Sequence, residues 1–205
     1  AERAKEYREK LVEVAAETDD ELLSKYLEEG SLGEAEMVKA LRAGIADGRI
    51  VPILAAVATK SIGSVALLDL VVESLPSPAD RGEVAGTDLK AKQAGTRATD
   101  PKAPVTALVF KTLSDPHVGK LSIFRVYSGT LKADSPIVNV SRGAKERLGH
   151  VAWLQGKTQK GVEALGPGEI GVVAKLKETM TGDTLAEEAH PFELPRITFP
   201  EAAIS

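Results

Sequence analysis

Apolar residues recur at helical spacing through the first part of the chain. Tyr7, Leu11, Val14 and Ala15 fall on one face of a first predicted helix. Thr18, with Glu21 three residues on, reads as a capping box that opens a second helix. There Leu22, Leu23, Tyr26 and Leu27 share a face, and Gly30 ends the pattern. Ser31 and Glu34 form another such box, followed by Met37, Val38, Leu41 and Ile45 and a stop at Gly48. Residues 50–56 are continuously apolar, as in a strand buried on both faces. A loop through Thr59, Lys60 and Gly63 then leads to a last helix carrying Leu67, Leu68, Val71, Val72 and Leu75, which Pro76 and Pro78 terminate. Helix, buried strand and helix make one α/β unit. A single strand cannot build a sheet, so residues 1–78 are predicted to be the incomplete end of a larger α/β domain.

Residues 79–104 lack apolar periodicity and are rich in small residues, glycine and proline, which predicts a linker. Beyond Pro104 the pattern becomes a series of short β-branched or aromatic runs: 105–113, 121–127, 137–140, 148–154, 170–176 and 197–199. Ser-Gly, Arg-Gly, Pro-Gly and Thr-Gly turns separate them. Short strands at this spacing predict a small antiparallel β-barrel over residues 105–205. The fold class is therefore α+β and multidomain.

Composition narrows the chemistry. A chain of 205 residues suits one large or two small domains. With 43% hydrophobic residues and a net charge of only −4, it can bury a core and is not intrinsically disordered. The absence of cysteine excludes disulfides, thiolate metal sites and cysteine nucleophiles. No apolar stretch is long enough to span a bilayer, and the charged start Ala-Glu-Arg-Ala-Lys-Glu is no signal peptide. The expectation is a cytoplasmic protein with no membrane partner. A first residue lying within a predicted helix suggests a piece of something larger.

Charge is unevenly distributed. Residues 1–80 hold 9 basic and 16 acidic residues, residues 111–160 hold 9 and 3, and residues 161–205 hold 3 and 8. A basic centre between acidic ends suits an anionic partner such as RNA, or simply a solvated strand surface. His117, His150 and His190 have no metal-ligand spacing, so no metal site is predicted. The glycines of 166–171 mimic a dinucleotide fingerprint but precede a strand instead of a helix. Gly156-Lys157-Thr158 resembles the end of a phosphate loop, yet the glycine required five positions earlier is Val151. No nucleophile–base set can be assembled, so no catalytic residue is predicted and the chain itself is read as no enzyme.

One stretch is more specific. Asp115-Pro116-His117-Val118-Gly119-Lys120-Leu121, continuing through Arg125-Val126-Tyr127-Ser128-Gly129-Thr130-Leu131, closely resembles the opening hairpin of the second domain of translation elongation factor G. Residues 176–185, Leu-Lys-Glu-Thr-Met-Thr-Gly-Asp-Thr-Leu, are similar to a later motif of that family. Leu75-Pro76-Ser77-Pro78 looks like the end of its GTPase domain. The matches come in family order across nearly the whole chain. The resemblance implies a remnant of a P-loop GTPase domain, with insert helices over 1–48 and the closing strand and helix over 50–75. A β-barrel of the translation-protein type would follow.

It also implies function. The chain would be a non-catalytic piece of a translational GTPase that acts in ribosomal translocation, its barrel docking on small-subunit ribosomal RNA and supporting the GTPase domain. Its partners would be the ribosome and the remaining domains of the parent. The basic stretch includes Lys120, Arg125, Lys132, Arg142, Lys145, Arg147 and Lys157; of these, Lys120, Arg125, Arg142, Lys145 and Arg147 are the candidate RNA-binding residues. Val57-Ala58-Thr59 stands where the family carries its fifth guanine-nucleotide motif, and Val57 departs from it by lacking a hydroxyl. The phosphate loop, magnesium switch and base-specificity motifs are missing from the sequence, so GTP and Mg belong to the intact parent and no cofactor to this piece. A stand-alone RNA- or protein-binding barrel is the competing reading. A ribosomal-protection factor, a release-factor-type GTPase or an accessory copy of elongation factor G remain open within the first.

Overall fold

The computed structural model describes residues 2–116, 118–156 and 158–200, and the chain divides into two compact units, Ala1–Pro76 and Ser77–Ser205. The first contains α1 (Glu2–Ala16), α2 (Asp20–Glu29), α3 (Glu34–Ala46) and α4 (Ser64–Ser74). All four helices fall where the periodicity predicts them, but their caps differ. Asp19, not Thr18, caps α2: its carboxylate accepts from the amides of Glu21 and Leu22. Thr18 instead donates its hydroxyl to the Ala15 carbonyl and closes α1. Gly33 stands at the N-cap of α3, where the Glu36 carboxylate accepts from its amide; glycine has no side chain to return the bond, so in place of the capping box predicted at Ser31/Glu34 there is this single bond two residues further on. Lys25 of α2 meets that same carboxylate at 2.7 Å. Gly30 ends α2 in the left-handed conformation, φ 70°, as its position predicts. The core here is small: Ala15, Met37 and Ala40, with Val12, Leu22 and Leu41 against it.

Residues 50–56 do not form the predicted buried strand. They run without a sheet partner, and Val51 and Ile53 are 76% and 93% exposed. An apolar run of β-branched residues forms a strand only where neighbours take up its backbone N–H and C=O groups, and no described residue does so here. Only its entry is anchored: the Ile50 amide donates to the Gly44 carbonyl, and the Ile50 side chain occupies the space a Cβ on Gly44 would need. The apolar side chains of α4 are likewise exposed, Val65, Leu68 and Val72 most of all.

Apart from a 3-10 turn at Ala79–Arg81, the regular structure of the second unit is all β. Its strands are β1 (Glu83–Asp88), β2 (Gln93–Ala98), β3 (Thr106–Asp115), β4 (Gly119–Ser128), β5 (Leu131–Lys132), β6 (Pro136–Asn139), β7 (Ala144–Arg147), β8 (Val151–Gln155), β9 (Thr158–Val162), β10 (Ala164–Leu165), β11 (Ile170–Ala174), β12 (Thr184–Ala186) and β13 (Phe192–Glu193). An antiparallel sheet runs in the order β7-β6-β12-β3-β4-β11-β8-β9. Its two ends are drawn together by the β5–β10 pair, continued by the bond from Ala133 N to Glu163 O, while the bonds from Leu148 N to Ser135 O and Asp134 N to Gly149 O prolong the β6–β7 pair. Strand alternation sends Phe124, Val126, Val109, Val173, Leu185 and Leu165 into one interior core. The predicted antiparallel barrel is thus present.

Two assignments change. The expected linker contains the hairpin β1–β2, paired in register over its whole length and extended by β13. Arg97 of β2 fastens it, donating to Thr106 Oγ1 at 2.6 Å and to the His190 carbonyl at 3.0 Å, with its guanidinium 4.5 Å from the centre of the Phe192 ring. A Cβ on Gly86 would strike that ring, so glycine lets the hairpin approach it. Residues 197–199 form no strand, contrary to the sequence expectation, and β13 closes this sheet instead.

Candidate nucleic-acid interface

The basic centre of the sequence is organised by two acidic side chains. Asp183 follows Gly182 in the loop ahead of β12 and is almost fully buried. Its Oδ2 accepts from Asn139 Nδ2 (2.9 Å), Arg142 Nε (2.6 Å) and the Met180 amide (2.8 Å). Asn139 also donates to Thr179 Oγ1 and accepts from the Arg142 amide, so the β6–β7 turn and the loop over 176–183 share one network. Burial pushes the Asp183 carboxyl up, but the Asn139, Met180 and Arg142 hydrogen bonds and the Arg142 charge outweigh it and hold it below its ordinary value. Glu146, between Lys145 and Arg147 on β7, accepts from the amides of Lys177, Glu178 and Thr179 and from the Thr179 hydroxyl. On the other side of the loop, Lys120 Nζ donates to the carbonyls of Lys177 and Thr179. The loop is held from three strands, with Met180 half exposed at its tip.

The predicted RNA-binding residues therefore have unequal standing. Lys120 is spent on two backbone carbonyls. Arg142 is ion-paired with Asp183, and Lys145 with Glu188 on the surface. Arg125 lies on the outer face of β4 with its guanidinium 5.6 Å from the Tyr127 ring centre. Arg147 is exposed and, among the described residues, has no carboxylate partner. Strand alternation puts Lys145 and Arg147 on the solvent side of β7 and Glu146 on the other. Lys157 and His117 lie outside the described residues. Sequence reasoning missed Asn139, Glu146 and Asp183. The one signal was the Thr-Gly-Asp-Thr run, since a lone aspartate beside glycine at a turn commonly caps local amides.

Val57, Ala58 and Thr59 sit at a tight turn. Val57 and Ile62 exchange backbone hydrogen bonds, and the Lys60 and Ser61 amides close a 3-10 turn onto Val57 and Ala58. The amides of Ala58 and Thr59 open that turn, where N–H groups have no partner inside the helix. Among the described residues, no group of three or more His, Asp or Glu can hold a metal ion.

Comparison with known proteins is concordant. Residues 104–188 match the family model described as elongation factor G domain 2, a translation elongation factor-type module. The chain also matches the crystal structure of a protein from Thermus thermophilus, with a TM-score of 0.76 and 28% identity over 99% of this chain. It spans 28% of the length of that structure. No helix among the described residues is long and apolar enough to cross a membrane.

Proposed function

We propose, from the premise that residues 104–188 belong to the elongation factor G domain 2 family, that the chain serves ribosomal translocation as a non-catalytic portion of a translational GTPase. Its barrel docks on small-subunit ribosomal RNA. Residues 1–76 are its contribution to the GTPase domain, whose GTP and magnesium are held by other residues of the parent. The single observation that carries the docking surface is β7. Glu146 locks that strand to the loop over 176–183, so Lys145 and Arg147 are displayed from a braced edge instead of a mobile loop. Of the basic residues, Arg147 is the strongest candidate for a phosphate contact, because no carboxylate among the described residues has to be displaced first. Lys145 follows, since an exposed pair such as Lys145–Glu188 stabilises by at most about 1 kcal/mol and is easily exchanged.

Co-sedimentation of the full chain with small ribosomal subunits across a salt series tests this reading. Binding should weaken linearly in log–log form. Arg147→Gln should reduce the slope by about 1 unit, as expected for one lost phosphate contact. Binding that does not respond to salt, or an unchanged slope in Arg147→Gln, would refute the assignment. Selective binding of a protein partner with no affinity for the subunit would favour the stand-alone module.

A further inference from the structure

Apart from β7, the basic residues most conspicuous for lacking a partner face a small cleft on the barrel's outer surface. Phe124 and Val126 of β4 point into the core, so Arg125 and Tyr127 stand on the outside, two residues apart. Facing them is the turn at Ala79–Arg81, where Asp80 is folded back onto the Ser77 amide at 2.6 Å and is not directed at Arg81. Gly168, at φ +89°, closes one end: any Cβ there would meet the Pro78 ring, so the chain can seat Pro78 directly on it. The cleft has a volume of about 130 Å³ and is lined by Arg81, Arg125, Tyr127 and Thr99, with Glu83 also on its wall. Neither guanidinium makes an ion pair or hydrogen bond with any described residue.

We infer that this cleft binds a phosphate-type oxyanion. Two guanidiniums facing one concavity repel each other, and Glu83 bridges neither, so the walls carry a net positive charge that an anion relieves. Each guanidinium offers a planar fork of N–H donors that matches two oxygens of a phosphate, and the Tyr127 and Thr99 hydroxyls can donate to the remaining ones. The volume equals that of about four waters, which admits a phosphate or pyrophosphate group but not a base and sugar. The ligand is thus either free phosphate or pyrophosphate, or the terminal phosphate of a nucleotide chain whose remainder lies outside. This inference does not rest on ribosome docking.

The test is a titration of the isotope-labelled full chain, followed by amide and arginine side-chain resonances. The probes are pyrophosphate, a 5′-phosphorylated trinucleotide and the same trinucleotide without phosphate. Saturable shifts confined to Arg81, Thr99, Arg125 and Gly168 are expected with pyrophosphate if the ligand is free. They are expected only with the phosphorylated trinucleotide if it is a chain terminus. Arg125→Gln and Arg81→Gln should each weaken binding by about tenfold, and Glu83→Gln should tighten it by about threefold. Arg81 lies on an exposed turn, so Arg81→Gln keeps the test valid even if Arg125→Gln perturbs the barrel. Shifts spread over the surface lysines, no saturation, or equal affinity in Arg81→Gln and the unaltered chain would overturn the inference.

Discussion

Removing the Asp183 carboxylate should destabilise the barrel strongly, although the residue lies in a loop. In Asp183→Ala three donors lose their common acceptor: Asn139 Nδ2, the Met180 amide and Arg142 Nε. Asn139 is fully buried and keeps only the Thr179 hydroxyl for that amide group, and the Met180 amide has no second acceptor among the described residues. Each buried donor left without its charged acceptor costs about 1–2 kcal/mol. Arg142 is half exposed and recovers water, so its share is about 0.5 kcal/mol. The expected loss is about 3 kcal/mol, which at an m-value of about 2 kcal/mol/M lowers the urea midpoint by about 1.5 M. Trp153, the chain's one tryptophan, lies on β8 and reports on this unit alone. Asp183→Asn keeps one acceptor oxygen and the side-chain shape, so its midpoint should fall between those of Asp183→Ala and the unaltered chain. A loss under about 1 kcal/mol in Asp183→Ala would show that water replaces the carboxylate and that the network does not hold the loop.

The same group sets an acid limit. The folded Asp183 carboxyl titrates below its unfolded value of about 4, so its stabilisation is complete above that pH and is lost as the pH falls through the folded value. The midpoint gap between the unaltered chain and Asp183→Asn should therefore narrow below about pH 4, and a gap that stays constant would contradict this. Gly129→Ala combines a positive φ of 71° with a Cβ only 2.5 Å from the Ala103 carbonyl oxygen and 2.7 Å from the Val105 backbone. Neither neighbour can swing aside, so a loss of about 3 kcal/mol or more is expected, read from the same Trp153 transition. Ser122 and Ser128, on the interior of β4, bury hydroxyls with no hydrogen-bond partner among the described residues. Ser122→Ala should consequently leave the thermal midpoint unchanged or raise it, whereas a clear decrease would reveal a partner.

The motifs that resemble elongation factor G are largely structural. Asp115 caps its hairpin turn by accepting from the Val118 amide. Gly129 permits a close backbone crossing, and Asp183 gathers the loop ahead of β12. Asp115 and Asp183 each serve an amide three positions away, those of Val118 and Met180, which makes them readable in a linear sequence, whereas the backbone that Gly129 crosses, at Ala103 and Val105, is distant in sequence. The helices of the first unit and the long strands β3, β4 and β11 were readable for the same reason, through their 3.6- and 2-residue periods.

What the chain alone determined was local: helix faces, turn positions, the alternating runs and the region where positive charge concentrates. Tertiary structure decided the rest, because each remaining question depends on a partner distant in sequence. The weakly patterned residues 83–98 became a hairpin because Phe192, about a hundred residues away, supplies a ring for Arg97 and a strand for β1. The strongly apolar residues 50–56 stayed unpaired because their backbone groups meet no neighbouring strand among the described residues. Positive charge could be counted along the sequence, but its availability could not. Asp183 claims Arg142, two carbonyls claim Lys120, and Arg147 has no carboxylate partner among the described residues, on a strand whose register only the folded sheet defines.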